Sequence, residues 1–303
     1  MSFLKRLSWL MERRKKFPPD DIHRAGDLAE MRLAKLSRAA GRDNGWKIYE
    51  SVRIPDPDGG RREIDMVIIG GNSILIVEQK HWAGSFRINK DHHFIQKRKN
   101  GDEHSHDGVA DRIARKARLL AELHQKRLGL ASEDLPDVRV IVAMTHQRLD
   151  WPRIPEGLAA EMVNEKGFLD IIKAVNPGKP TLELVETLDG FNTWDEVHLH
   201  GGLMNKGDVF ELGLGSDIDT IFAKRECEVV GSTQHKRGLF AVFDKQPSKA
   251  SIKIGKKNAN VTLAHGACIN MHVVGEPKPR QIPWACIDKI VISKPPAEWN
   301  KNG

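Results

Sequence analysis

Hydrophobic positions recur along this chain with two different periods. Near the N-terminus Phe3, Leu4, Leu7, Leu10 and Met11 repeat at helical spacing among Lys5, Arg6, Arg13, Arg14, Lys15 and Lys16, which predicts a basic amphipathic helix over Ser2 to Phe17. Pro18-Pro19-Asp20-Asp21 ends it and caps the next, because proline cannot continue a helix and aspartate accepts free N-terminal amides. A second helix is expected over residues 22 to 40, with Ala29, Leu33, Leu36 and Ala40 as its packed stripe and Glu30 at the stripe's edge. Trp46 to Ile54 alternates as a strand, and Pro55-Asp56-Pro57-Asp58-Gly59-Gly60 is a turn cluster. Glu63 to Ile69 and Ser73 to Gln79 flank Gly70-Gly71-Asn72 and read as a hairpin. Ile74-Leu75-Ile76-Val77 is apolar on both faces, as in a strand at the middle of a sheet.

Further on, Trp82 to Gln96 reads as another hairpin, Lys97 to Asp107 as a polar loop, and Val109 to Leu128 as a helix with Val109, Ile113, Leu120 and Leu123 toward the sheet. Val138 to Ala143 is a buried strand and residues 157 to 175 a further helix. Helices alternating with hydrophobic strands predict an α/β domain with a mixed sheet. After Asn176-Pro177-Gly178-Lys179-Pro180 the texture changes to short runs at 197–203, 208–214, 226–230, 239–243, 250–254, 260–264, 269–274 and 287–292. That is the pattern of a small all-β barrel or sandwich. The expected organisation is helix and linker over 1–21, an α/β domain over 22–180, and a second small all-β domain over 190–295.

Composition bounds this picture more than it sharpens it. A chain of 303 residues accommodates two domains at roughly 150 residues each. The 48 Lys and Arg exceed the 41 Asp and Glu, a net +7 that only modestly favours polyanionic partners. Cys227, Cys268 and Cys286 are too far apart for a zinc ribbon and too few for a disulfide framework, so they read as buried, reduced thiols. No apolar run approaches the roughly 18 residues of a spanning helix, and no signal-peptide hydrophobic stretch follows the basic start, so the cytoplasm is the expected compartment. The N-terminal helix has a composition that can lie on an anionic membrane or along a phosphate backbone, although packing on its own domain is the commoner role. Glu211 to Ser216 lacks both a P-loop lysine and a full dinucleotide fingerprint, which rejects an ATPase.

The chemistry concentrates around the central hairpin. Mg²⁺ and Mn²⁺ prefer oxygen ligands, so a nuclease that uses them needs at least two carboxylates on one point, and a nearby cation helps hold the phosphate. Glu78 and Lys80 face the same side of a strand, about 6–7 Å apart at the backbone. Asp65, on the preceding arm, can come opposite Glu78, and Glu30 from the earlier helix is placed to offer a third oxygen. In this arrangement a metal activates water and stabilises the phosphate charge, while Lys80 orients the water or helps to deprotonate it. Lys97-Arg98-Lys99 and the helical Arg112, Arg115 and Lys116 would suit a phosphate-binding rim, or simply a solvated face. His92, His93, His104 and His106 lack a metal-binding spacing and read as loop histidines. Trp82 is the aromatic best placed to touch a substrate, with core packing its simpler role.

The run Arg62-Glu63-Ile64-Asp65-Met66-Val67-Ile68-Ile69-Gly70, followed by Ser73 to Lys80 and His81-Trp82-Ala83-Gly84, resembles the nuclease-related domain (NERD) family of the PD-(D/E)xK group. The resemblance spans about residues 22 to 175 and is specific over 62 to 84. It implies a restriction-endonuclease-like mixed sheet flanked by helices, Asp65 and Glu78 as metal ligands, and Lys80 as the catalytic lysine. Ala29-Glu30 stands where the family carries a Gly-Glu pair, with alanine in place of glycine.

The expectation is therefore a Mg²⁺- or Mn²⁺-dependent nuclease acting on DNA rather than RNA, in DNA repair or in defence against foreign DNA. Its C-terminal β-domain would recruit substrate or a protein partner. The competing expectation is a non-catalytic module that keeps the fold and binds nucleic acid or protein.

Overall fold

The computed structural model describes residues 3–98, 100–131, 135–224, 226–243 and 248–300. Backbone contacts divide the chain into two units: Ile22–Phe191 joined by the residues from Pro296 onward, and the residues up to Asp21 joined by Asn192–Pro295. The first helix, α1 (Phe3–Arg14), thus belongs with the C-terminal β-region.

In the α/β unit, α2 (Asp21–Gly41) buries Leu33, Ala34 and Ser37, the side chains that return to one face every three to four residues. Then follow β1 (Lys47–Pro55), β2 (Arg61–Gly70), β3 (Ser73–Lys80), β4 (Gly84–Ile88), β5 (Phe94–Lys97), β6 (Glu103–His106), α3 (Val109–Leu128), β7 (Asp137–Met144), β8 (Leu149–Asp150), β9 (Glu161–Asn164), α4 (Glu165–Ala174) and α5 (Leu182–Asp189). The main sheet has the order β1-β2-β3-β7-β9, antiparallel from β1 to β3 and parallel from β3 to β9, so it is mixed. Both faces of β3 are covered, which explains its unbroken apolar run. Ile74 and Ile76 join Val109, Ile113 and Leu120 of α3, whereas Leu75 and Val77 join Leu33 of α2 and Phe168 and Ile172 of α4. A small sheet, β6-β5-β4-β8, completes the unit.

The β2–β3 turn depends on Gly71, whose φ of 53° is left-handed and whose missing side chain leaves room for the carbonyl of Pro177, 2.4 Å from where a Cβ would stand. Three expectations fail locally. Within the expected polar loop, Glu103 to His106 pairs with β5, because Gly101 turns the chain back and an edge strand needs no apolar face. The helix expected from residue 157 starts at Glu165, where the Asn164 side chain accepts the Gly167 N–H at 2.8 Å, and residues 161–164 extend the sheet instead. Helix α5, absent from the sequence reading, is capped by Thr181 and anchored by Leu184 and Leu188.

The other unit holds β10 (Asp195–Leu199), β11 (Met204–Glu211), α6 (Ser216–Ala223), β12 (Val229–Gln234), β13 (Lys249–Ile254), β14 (Lys257–Thr262), β15 (Cys268–Val273), β16 (Arg280–Pro283) and β17 (Ile287–Ile292). They form one antiparallel sheet of order β14-β13-β12-β17-β10-β11-β15-β16, whose end strands each pair on one side only. Among the described residues the sheet is therefore not closed into a barrel by hydrogen bonds. Val197, Ile252, Met271, Trp284 and Ile290 fill its core. Buried Asp195 accepts the N–H groups of Val209 at 2.8 Å and Ser293 at 3.0 Å, which ties β10 to its neighbours. The run at 239–243 is not a strand: Leu239–Val242 is a 3-10 turn in which only Val242 is buried. Among the described residues no helix is long and apolar enough to cross a membrane.

Candidate active site

Four side chains meet where β2 and β3 separate. The β2–β3 ladder pairs Met66 with Val77, so Asp65 and Glu78 are the next positions across the hairpin. The Asp65 carboxylate accepts the Gln79 backbone N–H at 2.9 Å. Glu78 and Lys80, two apart on β3, bond directly: Lys80 Nζ donates to Glu78 Oε1 at 2.7 Å. From α3, Lys116 Nζ donates to Glu78 Oε2 at 2.9 Å. Lys116, expected on a rim, is thus a member of the centre, and the packed face of α3 carries it there. Lys116 lies three residues after Ile113 and four before Leu120, so the helical period itself puts it on the packed face; what the sequence does not announce is the carboxylate it meets there.

Backbone irregularity accompanies this meeting point. Ser51 of β1 lies between Glu50, paired with Met66, and Val52, paired with Ile64, and it adopts φ 49°, a left-handed value rare outside glycine. Across it the pleat changes phase, since Ile64 packs on the α3 side while Met66 packs on the α2 side. Asp65 sits at the reset. Strain of this kind gathers at functional sites.

The electrostatics distinguish the two carboxylates. Burial, then the neighbouring charge of Glu78, push the Asp65 pKa up to about 7, against the opposing pull of Lys80, the Gln79 N–H and Lys116. Burial works in the same direction on Glu78, but the charges and hydrogen bonds of Lys80 and Lys116 outweigh it and hold that carboxylate below its usual range. Burial also disfavours the Lys80 ammonium, yet Glu78, Asp65 and Glu30 more than compensate and raise its pKa. Lys80 is accordingly a cation, suited to orienting and neutralising rather than to removing a proton.

The donor set suits a hard cation. It consists of carboxylate oxygens, and Mg²⁺ is commonly held through one or two carboxylates while keeping several waters. A cavity of ≈20 Å³, the size of one water, is lined by Glu30, Glu50, Ser51, Asp65 and Gln79 together with apolar neighbours. Glu50 is engaged there by Arg38. Glu30 reaches the centre through this cavity and through its charge on Lys80. Among the described residues no three Asp, Glu, His or Cys side chains form a ready ligand group.

The remaining candidates fall into separate places. Arg115 is held by Asp58 and Asp56 at the β1–β2 turn, away from the carboxylate pair. Arg98 and Arg112 are exposed, and together with Lys80 their charges depress the pKa of His106 behind the larger effect of burial. Lys97 is exposed at the end of β5, and Lys99 lies outside the described residues. Trp82 stacks on His106, with ring centroids 4.1 Å apart, and packs against Phe86 and Phe94 in the core. His93 pairs with Asp107.

A second group was not legible in the sequence. Because β3 and β7 are parallel with Lys80 beside Met144, the residues that follow them meet: His81 Nδ1 lies 3.0 Å from Thr145 Oγ1, and the His81 and His146 rings are 4.9 Å apart. With Arg32 and Arg148 they line an open groove of ≈470 Å³ next to the centre. No local pattern announces which strands will be neighbours.

Residues 25–144, from α2 to the end of β7, match the family model of the nuclease-related domain, NERD, the family that the motif around Asp65, Glu78 and Lys80 resembles. No curated protein matches the chain.

Proposed function

We propose that this protein is a Mg²⁺- or Mn²⁺-dependent nuclease that hydrolyses DNA phosphodiester bonds, and that Asp65 and Glu78 hold the cation. The observation that carries the proposal is the convergence of these carboxylates with Lys80 and Lys116 at the end of β3, within a segment that matches a nuclease-related domain. A divalent cation bound there would supply positive charge to the phosphate and acidity to a water. Glu78 has acceptor capacity left after its two lysine bonds, since a carboxylate offers about four lone-pair sites. Lys80 and Lys116 carry donors that fit non-bridging phosphate oxygens, where charge builds up in the transition state. Arg98 and Arg112 extend the cationic surface that a nucleic-acid backbone would follow. DNA repair or defence against foreign DNA is the proposed setting, and a substrate or protein partner recruited by the C-terminal sheet is part of the same proposal.

The test is incubation of the purified protein with linear, circular and single-stranded DNA and with RNA, in Mg²⁺, Mn²⁺ or EDTA. Asp65→Ala and Lys80→Ala should each abolish cleavage. Cleavage that survives both substitutions, or that persists in EDTA, refutes the assignment. A second reading has its own support: both Glu78 oxygens are already occupied by ammonium groups, as in a module that binds phosphates without cutting them. Retained DNA binding with no cleavage under any condition would favour that reading.

A further inference from the structure

Helix α1 has two apolar faces, and only one of them is used. Trp9 and Leu10 are buried in the β-unit, together with Arg13. Phe3, Leu4, Leu7 and Met11 are exposed, Leu4 to 75%, and at 3.6 residues per turn they fall within an arc of about 100° beside the buried one. Next to them stands the 3-10 turn Leu239–Val242. It is held by the Ala241 N–H to Gly238 and the Phe243 N–H to Phe240, at 2.9 and 3.0 Å, so that Val242 points inward while Leu239, Phe240 and Phe243 point outward. Phe240 is 87% exposed. The Phe3 and Phe243 rings, 6.3 Å apart, join the turn to the helix. Arg14 and Lys15 line a shallow depression with Met11, Lys16 follows them exposed, and Glu12 is the one acidic side chain on α1.

We infer that this face docks on an anionic lipid bilayer, with α1 lying in the interface plane and the Phe240 turn inserted beside it. Contiguous exposed apolar side chains of this size mark a binding surface rather than ordinary solvated protein. The occupant must meet two demands at once: an apolar medium for leucine, methionine and phenylalanine, and negative charge for Arg14, Lys15 and Lys16. The headgroup and acyl boundary of an anionic membrane supplies both. A nucleic-acid backbone would neutralise the cations and leave the apolar side chains in water. The inference rests on the β-unit alone and is independent of the nuclease reading.

The test is flotation of the full chain with phosphatidylcholine vesicles and with vesicles containing phosphatidylglycerol. Binding is expected only to the anionic vesicles, and it should weaken as salt is raised. Phe240→Ser with Phe243→Ser, and separately Leu4→Ser with Leu7→Ser, should each lower partitioning about tenfold or more. All four residues are exposed, so thermal unfolding of the variants should match that of the parent. Absence of flotation, or equal binding to neutral and anionic vesicles, overturns the inference. So does a concentration-dependent dimer that the same substitutions dissolve in the absence of vesicle binding, which would make the face a contact between copies.

Discussion

Glu78 is the hinge of the site's electrostatics, and its removal has a calculable effect. Two ammonium groups lie 2.7 and 2.9 Å from its oxygens, and the three side chains are only 15 to 24% exposed. At an effective dielectric of 20, each contact is worth about 6 kcal/mol before desolvation. Dehydration of the charges cancels much of this, but removing the shared carboxylate leaves two half-buried cations facing each other. Glu78→Gln should therefore cost about 3 kcal/mol. Lys116→Met leaves Glu78 paired with Lys80 and should cost about 1 kcal/mol, the net worth of one hydrogen bond. The double substitution removes one of the stranded cations, so it should be less damaging than the two single changes added together, by about 1 kcal/mol or more. Hydrogen exchange of the amides in residues 73–80, measured in EDTA, reads the opening free energy of β3 itself. Unchanged protection in Glu78→Gln, or strict additivity in the double variant, would refute this account of the centre.

Three other outcomes are expected. Mg²⁺ at about 100 times its Kd should stabilise the parent by about 2.7 kcal/mol in thermal unfolding and leave Asp65→Asn unaffected; equal stabilisation of both would remove Asp65 from the cation site. Burial, and after it the charge of Arg127, lowers the pKa of His124, which is bonded to Thr187 at 2.8 Å. The unfolded chain then binds the proton more readily, so the contribution of neutral His124 is fully present above its ordinary pKa of 6.5 and is lost as pH falls below it. Melting temperatures compared at about pH 7.5 and about pH 5 should show a smaller acid loss in His124→Gln, and an identical loss would exclude this histidine. Gly71→Ala should cost about 1–3 kcal/mol through its left-handed φ and the Pro177 carbonyl, and an unchanged urea midpoint would show that the turn can shift without penalty.

The site was legible where local geometry determined it. Strand alternation alone places Glu78 with Lys80, and a short glycine-containing turn brings Asp65 across from them. Lys116 and the His81–Thr145 pair were not readable in the same way, because each depends on which distant element packs beside β3. In the fold, the same limit appears at Glu103 to His106, a strand made of polar residues, and at Leu239 to Val242, where an apolar run is a solvent-facing turn. Periodicity reports burial against water, and neither an edge strand nor an outward apolar turn obeys that contrast.

The division of the chain has a consequence for its biosynthesis. The α/β unit is completed by residues from the far C-terminus: Ala297 donates its N–H to the Gly190 carbonyl at 2.9 Å, Arg61 reaches the Asn300 carbonyl at 2.7 Å, and Trp299 stands edge-on to Phe191. These closing residues leave the ribosome only after the whole intervening β-region has been made. The emerging α/β unit must therefore wait with Phe191 uncovered on that side, and a fragment ending at residue 191 would preserve that unfinished state permanently.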